Sequence, residues 1–537
     1  MRKLLLLLVM ACTLVTADEL QAYTTGLADR INAKPVRCTA DLSCSSPFLS
    51  TFYQNRGNSF AWVKDGELTS SGTALVKSIR NAYMDGLDPR TYHVNQINQM
   101  ISLLHTGNQD VATNLELTLS DGLFLYLNNL VFGLQSGKGM SPNWPMTNKN
   151  VDLQMVAEKI ANTTNVNEIL IDVAPKYPGY AKLREKLSDY YAIAKQGGWE
   201  TIPGGTLKKG AKGKRVELLQ RRLFVSGELS EADDSGEFDA DLQKAVIKYQ
   251  QNNGLDDDGI VNKQTLNSLN VPVEKRIQQI ELNMDRMRVL PDNYPSRYVR
   301  VNIPDYSLEA FEDGKAEVVS GVVVGKPNKK TCVLSSQIAT AELNPYWNIP
   351  PSIVREILPD IKDDPNYLAD NGIKIFQVGS DNHYNRVDPG TIDWNNPDSK
   401  IFSLRFREDP GEDNALGRFK FIFPNSCGIY LHDSLAQSAF DETRRGLSHG
   451  CIRVAEVDEF ANYLLKNNKG WDSNRISAEI DSKKHQFVKL STPTQLYVIY
   501  LTSWYDLDEG IQFRDDIYHY DNLSKYPVYL QSKQIPS

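Results

Sequence analysis

Apolar residues recur at helical spacing from about residue 45 to 200. Phe48, Leu49, Phe52 and Tyr53 open the pattern, and Leu75, Ile79, Ala82 and Tyr83 continue it. Leu119, Leu123, Leu127 and Leu130 line one face of a further stretch, with Phe124 and Val131 beside them. Nothing catalytic stands out there, and residues 18–205 read as a helical scaffold. Gly204-Gly205 breaks the pattern. Residues 206–271 then form a small three-helix unit. Val216, Leu219 and Leu223 mark its first helix, Leu242, Ala245, Val246 and Tyr249 the second, and Leu266 and Leu269 the third. Gly236, Gly254-Leu255 and Asp258-Gly259 supply the turns. Residues 272–297 hold a linking scaffold helix with Val273, Ile277, Ile280, Met284 and Met287 on one face.

From Tyr298 the period changes to two. Val299, Val301 and Ile303 alternate with polar residues, stretches at 308–311 and 318–324 follow, and strands resume at 419–423 and 429–431. This is a β-rich, sandwich-like domain over residues 298–523. Within it, about 351–411 lapses into charged, Pro-containing sequence with short apolar patches such as Ile375-Phe376, Ile392 and Trp394. So long an insert is expected to be a lid or binding loop rather than core. Residues 524–537 form a tail. The fold class is therefore multidomain α+β, and 537 residues fit about three domains.

The N-terminus adds an address. Arg2 and Lys3 precede an apolar run from Leu4 to Leu14, and Val15-Thr16-Ala17 offers the small residues of a cleavage site. Residues 1–17 read as a signal peptide directing export to the periplasm. Cys12 behind Val9-Met10-Ala11 fits a lipoprotein box poorly because of Met10. No later stretch reaches the ~18 apolar residues of a membrane helix. A net charge of -8 argues against nucleic acid as partner but leaves a neutral or zwitterionic polymer open. Without Cys12 the cysteines are Cys38, Cys44, Cys332, Cys427 and Cys451, an odd number that leaves at least one thiol unpaired. Cys38 and Cys44 are near enough in sequence to pair. There is no Cys-x-x-Cys.

Candidate chemistry concentrates in Ile429-Tyr430-Leu431-His432-Asp433 and Ser448-His449-Gly450-Cys451-Ile452-Arg453-Val454. A cysteine nucleophile needs a neighbouring base or positive potential to become thiolate. His432, at the end of a strand, is the candidate base for Cys451. Gly450 permits a sharp turn that aims amide N–H groups at an oxyanion. A helix read over 455–465 would add its N-terminal dipole in favour of thiolate. A metal site of His432, His449 and Cys451 lacks a convincing fourth ligand, and neither metal nor cofactor is called for.

The order histidine, then serine-histidine-glycine-cysteine, then arginine resembles the signature of bacterial L,D-transpeptidases. Residues 206–271 resemble the peptidoglycan-binding module. Further blocks resemble the long, scaffold-bearing branch of the family: Asn344-Pro345-Tyr346-Trp347-Asn348-Ile349-Pro350, Pro410-Gly411…Asn414-Ala415-Leu416-Gly417, Phe423-Pro424-Asn425 and the tail from Tyr500 to Tyr518. Cys427 departs from the pattern, where a non-cysteine is expected. The resemblance implies that Cys451 attacks the diaminopimelate carbonyl of a tetrapeptide stem and expels D-alanine. The thioester then passes to a second diaminopimelate amine, giving a three-to-three crosslink in peptidoglycan. It implies His432 as proton acceptor and donor, its other ring nitrogen held by the Asp433 carbonyl, and amides of Gly450 and Cys451 around the oxyanion. Ser448, His449 and Arg453 are expected to shape the substrate site, with Tyr430 and Trp347 as cleft walls. β-lactam carbapenems are expected to acylate Cys451. A carboxypeptidase or endopeptidase on the same scaffold, or a non-catalytic wall-binding protein, are the alternatives.

Overall fold

A computed structural model describes residues 26–134, 149–231, 234–379, 383–395 and 399–530. The signal-peptide reading of 1–17, including Cys12, lies outside the described residues.

As the patterning predicts, the molecule is a mixed α+β assembly with a helical scaffold and a β-rich domain. The scaffold is built on the helix Gln109–Phe132, started by the Asn108 side chain accepting from Asp110 N and apolar around most of its girth. Such a helix must be surrounded on all sides. Its Glu116 is fully buried, and its carboxylate accepts amide hydrogens from Ala61, Trp62 and Val63 at 2.6, 2.9 and 3.1 Å. That fixes the entry to a hairpin, β1 (Val63–Lys64) with β2 (Glu67–Leu68). Burial still holds this carboxyl up at about 7. Cys38 and Cys44 form a disulfide at the scaffold's start.

The three-helix unit comprises Lys214–Ser226, Ala240–Asn252 and Lys263–Leu269, with its own core of Val216, Leu219, Leu223, Leu242, Val246 and Leu269. Asp239 and Asn262 cap the second and third helices. The helix Val273–Arg288, read from sequence as a link, is buried on several sides. Its Asp285 accepts from Leu134 N at 2.7 Å and Tyr526 OH at 3.0 Å, Arg286 pairs with Asp521 at 2.7 Å, and Asn283 bonds Thr502 Oγ1 at 2.8 Å. One continuous apolar core therefore runs from the scaffold through this helix into the β domain. The C-terminal segment joins it, with Tyr526 buried.

The β domain contains β3 (Arg297–Asn302), β4 (Ser307–Glu312), β5 (Lys315–Gly325) and β6 (Leu334–Leu343). After the insert come β11 (Phe419–Ile422), β12 (Leu431–His432), β13 (Gly446–Ser448), β14 (Ile452–Val454) and β15 (Gln486–Ile499). The order is β13-β5-β14-β12-β11-β6-β15-β3-β4, and β4 pairs again with β5. The strand order thus closes on itself around Val299, Val301, Val322, Val324, Ile338, Phe421, Leu431 and Ile452. A hairpin of β16 (Ser503–Asp506) and β17 (Gly510–Phe513) follows.

The insert differs from the expectation of a loop. It folds as a helix, Pro351–Asp363, and a four-stranded sheet in the order β7 (Trp347–Ile349), β10 (Arg405–Glu408), β8 (Ile373–Val378), β9 (Tyr384–Val387). Ile349, Val354, Ile361, Leu368, Ile373, Ile375 and Phe406 close a separate small core. Its strand residues meet only through pairing of distant segments, whereas Val354, Leu358 and Ile361 already stand at helical spacing in the sequence.

Candidate active site

Two short strands set the site. β12 and β14 run parallel with Leu431 opposite Ile452 and His432 opposite Arg453, and Ile452 N–H donates to the Tyr430 carbonyl at 3.0 Å. Side chains alternate across a strand. Leu431 and Ile452 are fully buried in the closed sheet, so Tyr430, His432, Cys451 and Arg453 share the other face. Lys420 of β11 joins them, opposite His432 on one side and Glu342 on the other. Its ammonium pairs with Glu342 at 3.1 Å and lies 4.8 Å from the Tyr430 ring centre. The Trp347 indole lies within hydrogen-bonding reach of the Tyr430 hydroxyl.

The turn carrying Cys451 is braced from several directions. Ser448 Oγ donates to the Cys451 carbonyl at 2.6 Å and accepts from Gly450 N–H at 3.0 Å. Thr331 Oγ1 donates to the Gly450 carbonyl at 2.8 Å and accepts from Gly325 N–H at 2.9 Å. The Tyr518 hydroxyl clamps the same point, donating to Gly325 O at 2.7 Å and accepting from Thr331 N–H at 3.0 Å. Gly450 takes φ of 116°, in the region that favours glycine. At Gly325 a Cβ would lie 2.0 Å from the Lys329 carbonyl and 3.0 Å from Gly450 Cα, so this approach admits no side chain. Cys451 is the free cysteine among the described residues.

Comparison with known proteins identifies the domain. Residues 296–473 match the family model described as the L,D-transpeptidase catalytic domain. This chain carries an L,D-transpeptidase catalytic domain. Residues 47–187 match a model described as "Scaffold domain", and 212–269 one described as "Putative peptidoglycan binding domain". A Haemophilus influenzae protein named "Putative L,D-transpeptidase" is 37% identical over 265 residues, covering 48% of this chain and 52% of that protein. The match thus spans about half the length of that relative. Solved L,D-transpeptidases are similar at lower identity. One from Xylanimonas cellulosilytica is 16% identical with a TM-score of 0.19, covering 56% of this chain and 100% of that one. One from Stackebrandtia nassauensis is 13% identical with a TM-score of 0.23, covering 56% and 96%. At such scores these overlays carry no argument about chemistry.

Electrostatics in the L,D-transpeptidase domain run opposite to the sequence expectation. Burial pushes the Cys451 thiol up, against the pull of hydrogen bonding to Tyr430 and the charges of Lys420 and Arg453. Burial, with Arg453 and Lys420 adding to it, lowers His432 to about 3, although the carbonyls of Asp433 and Leu416 favour the protonated ring. The resting pair is a neutral thiol beside a neutral imidazole. No helix dipole tilts this balance, because β14 follows Cys451 and the helix begins only at Val457; the dipole fades within one turn.

Three further expectations concern single residues. The Gly450 amide is engaged by Ser448, so it does not face an acyl oxygen; the Cys451 amide, with no hydrogen bond among the described residues, does not share that commitment. The Asp433 carbonyl, expected to hold His432, acts on the imidazole together with the Leu416 carbonyl, while Nδ1 makes no hydrogen bond of good geometry. The Asp433 carboxylate holds the Gly417-Arg418 turn, accepting from Arg418 N–H at 2.9 Å and from Ser434 N–H at 2.7 Å. His449 bonds Glu356 of the insert helix at 2.6 Å. Lys329 joins Glu356 at 3.0 Å, and the two bonds pull that carboxyl down to about 2. Sequence reasoning missed Glu356, Lys329, Thr331 and Lys420, which no local motif distinguishes, and gave Tyr518 no role beyond its place in the tail block. It also left Cys427 unexplained: it is disulfide-bonded to Cys332, beside Thr331. Asn425 shapes the turn between, accepting from the amides of Cys427 and Ile429, each at 3.1 Å.

The buried neutral His432 makes a pH prediction. Its folded pKa lies below the ordinary value of about 6.5, so its contribution to stability is complete above that pH and is lost as pH falls toward 3. Urea denaturation of His432→Gln should therefore show a shallower loss of stability between pH 7 and 4 than wild type. Parallel pH slopes for the two proteins contradict the buried neutral imidazole.

Proposed function

We propose that this chain is a periplasmic L,D-transpeptidase that crosslinks peptidoglycan stems through a Cys451 thioester. The observation carrying this reading is the parallel pairing of β12 and β14, which puts His432 and Cys451 on one face of a matched L,D-transpeptidase domain. His432, neutral at physiological pH, takes the thiol proton as Sγ attacks the diaminopimelate carbonyl of a tetrapeptide stem. A C–S bond forms, the C–N bond to the terminal D-alanine breaks, and His432 gives its proton to the departing amine. The side-chain amine of a second diaminopimelate then attacks the thioester, losing a proton to His432, which returns it to Sγ. The Cys451 amide is the candidate oxyanion donor. A raised thiol pKa fits a nucleophile deprotonated only in the presence of its acyl donor.

Support for the setting is independent of the site. The pairs Cys38–Cys44 and Cys332–Cys427 require an oxidising compartment, in keeping with export. The matched peptidoglycan-binding domain supports the polymer as partner. The insert is proposed as a lid: its Glu356 bonds His449 of the nucleophile turn and Lys329 of the loop bearing Thr331.

Cys451→Ala should yield no covalent adduct with a carbapenem by intact-mass analysis, and His432→Ala should slow acylation about 10²–10⁴-fold. An adduct on Cys451→Ala removes the assignment of nucleophile. For the lid, hydrogen exchange across residues 351–411 should slow on acylation by a carbapenem, and Glu356→Gln should weaken that protection. Unchanged exchange in the acylated wild type rejects the lid.

A further inference from the structure

A trough runs along the seam where the three-helix unit packs on the β domain. One chamber, of about 480 Å³, is lined by Asn253, Gln264, Ser268, Lys275 and Arg276. A second, of about 470 Å³, lies between Gln251 and Asp257 on one side and Tyr306, Asp441 and Glu442 on the other. Both are lined by Leu255, Arg444, Arg514 and Asp515, and neither by Cys451 or His432. The divider is the ion pair of Arg444 with Asp515, 2.7 Å long and exposed on both sides. The seam itself is fixed, because Arg514 donates to the Asn252 carbonyl at 2.9 Å and pairs with Asp305 at 2.8 Å.

The two chambers differ in charge. In the first, the acids are answered from within: Asp516 accepts from the Tyr500 hydroxyl at 2.6 Å and Asp521 pairs with Arg286 at 2.7 Å. The cations are not. Arg276 is buried, lies over the Phe513 ring at 4.2 Å, and meets neutral oxygens of Asn253, Ser268 and Gln279 at 3.0, 3.1 and 3.1 Å. Lys275 reaches the Gln278 side-chain oxygen at 3.1 Å. No carboxylate pairs with either among the described residues. Arg222 is also buried without a carboxylate, but it lies over the Trp199 ring at 3.8 Å and does not line the chamber. The second chamber has the opposite sign. Asp257, Asp441 and Glu442 are exposed along it, and among the described residues no cation pairs with any of them.

We infer that this trough binds a peptidoglycan stem carrying both a carboxylate and a free amine, at a site separate from Cys451. The inference rests on the reading of peptidoglycan as partner. A buried guanidinium whose charge is met by neutral oxygens favours an anion, and its planar fork suits a carboxylate. The acidic chamber favours an ammonium group. A zwitterionic stem presents both charges along one short chain, and a ligand with a single sign of charge satisfies only one chamber. The divider is no obstacle, since an exposed ion pair contributes little and a ligand carboxylate can take the place of Asp515 on Arg444. Crosslinking turns the stem's amine into an uncharged amide, so the trough holds unreacted stems in preference to finished crosslinks. Its acidic wall belongs to the segment joining β12 to β13, and Thr443 of that segment hydrogen-bonds Asp256 of the three-helix unit. A stem held there is therefore anchored on the stretch of chain that links His432 to the turn of Cys451, which raises the local concentration of neighbouring stems on the same polymer.

The test pairs changes in the protein with a change in the polymer. The full chain carrying Cys451→Ala, which binds without turnover, is sedimented with isolated sacculi whose stem amines are free and with sacculi whose amines have been acetylated. Two further variants are made in that chain, Lys275→Gln and the double change Asp441→Asn with Glu442→Asn. All three residues are exposed, and thermal melting checks that each variant is folded. Loss of one charge-assisted hydrogen bond corresponds to about three- to tenfold in affinity. The parent should bind free-amine sacculi more tightly than acetylated sacculi by that factor. The double variant should bind both preparations alike, at the level the parent shows for acetylated sacculi. Lys275→Gln should weaken binding to both and keep the preference for free amines. A parent indifferent to acetylation overturns the inference, as does a double variant that still prefers free amines or a Lys275→Gln that binds as the parent does. The acyl-transfer reading is followed separately, as the Cys451 adduct formed by the chain with its thiol intact on a soluble disaccharide-tetrapeptide. Adduct formation together with any of those overturning results removes the trough alone, whereas a parent that sediments with neither preparation removes peptidoglycan as partner and the trough with it.

Discussion

The pairing of β12 with β14 depends on a point of backbone contact that tolerates no substitution in size. Gly325 at the end of β5 lies against Gly450, and Thr331 and Tyr518 hydrogen-bond across the junction. Three segments far apart in sequence meet there: the end of β5 with the loop that follows it, the turn carrying Cys451 and the C-terminal segment. Because Thr331 sits next to Cys332, the disulfide to Cys427 ties this junction to the turn that delivers Tyr430 and His432. The nucleophile turn is therefore positioned by the whole β domain and by the segment packed back onto it.

That rigidity bears on the chemistry. Burial that keeps the Cys451 thiol and the His432 imidazole neutral makes the thiol less reactive toward water and oxidants, since the thiolate is the reactive form. In the proposed acyl transfer, the charge that develops would be met by groups already in place, the Cys451 amide and Lys420. Fixed dipoles and charges of this kind stabilise a transition state without having to reorganise. The insert adds the remaining wall. Glu356 reaches the turn carrying Cys451 through His449, so the helix Pro351–Asp363 touches the motif.

Much of this was legible in the chain because it is local. The helix faces through Leu119 and Leu130 or Val216 and Leu223, the alternation at Val299, Val301 and Ile303, and the contiguous motif around Cys451 depend on near neighbours. What was not legible depends on distant partners. The core of the insert forms when Ile349, Ile375 and Phe406 are brought together by strand pairing. Cys332 and Cys427 are separated by 95 residues, and no spacing rule couples them. The Gly450 amide looked free because the competing acceptor, Ser448 Oγ, is visible only once the turn is folded. The helix read over 455–465 forms as Val457–Leu465, but Ile452 to Val454 are drawn into the sheet between β5 and β12, which keeps its first turn away from Cys451.

The central claim is that one thiol carries the acyl group between two stems. The direct measurement is intact-mass analysis of the purified chain during turnover of a disaccharide-tetrapeptide, with the products resolved alongside. The account predicts one adduct per chain on Cys451, equal in mass to the donor less its terminal alanine, which an added acceptor amine chases into a crosslinked dimer. Crosslinked dimer made at an undiminished rate by protein whose Cys451 has been alkylated contradicts it.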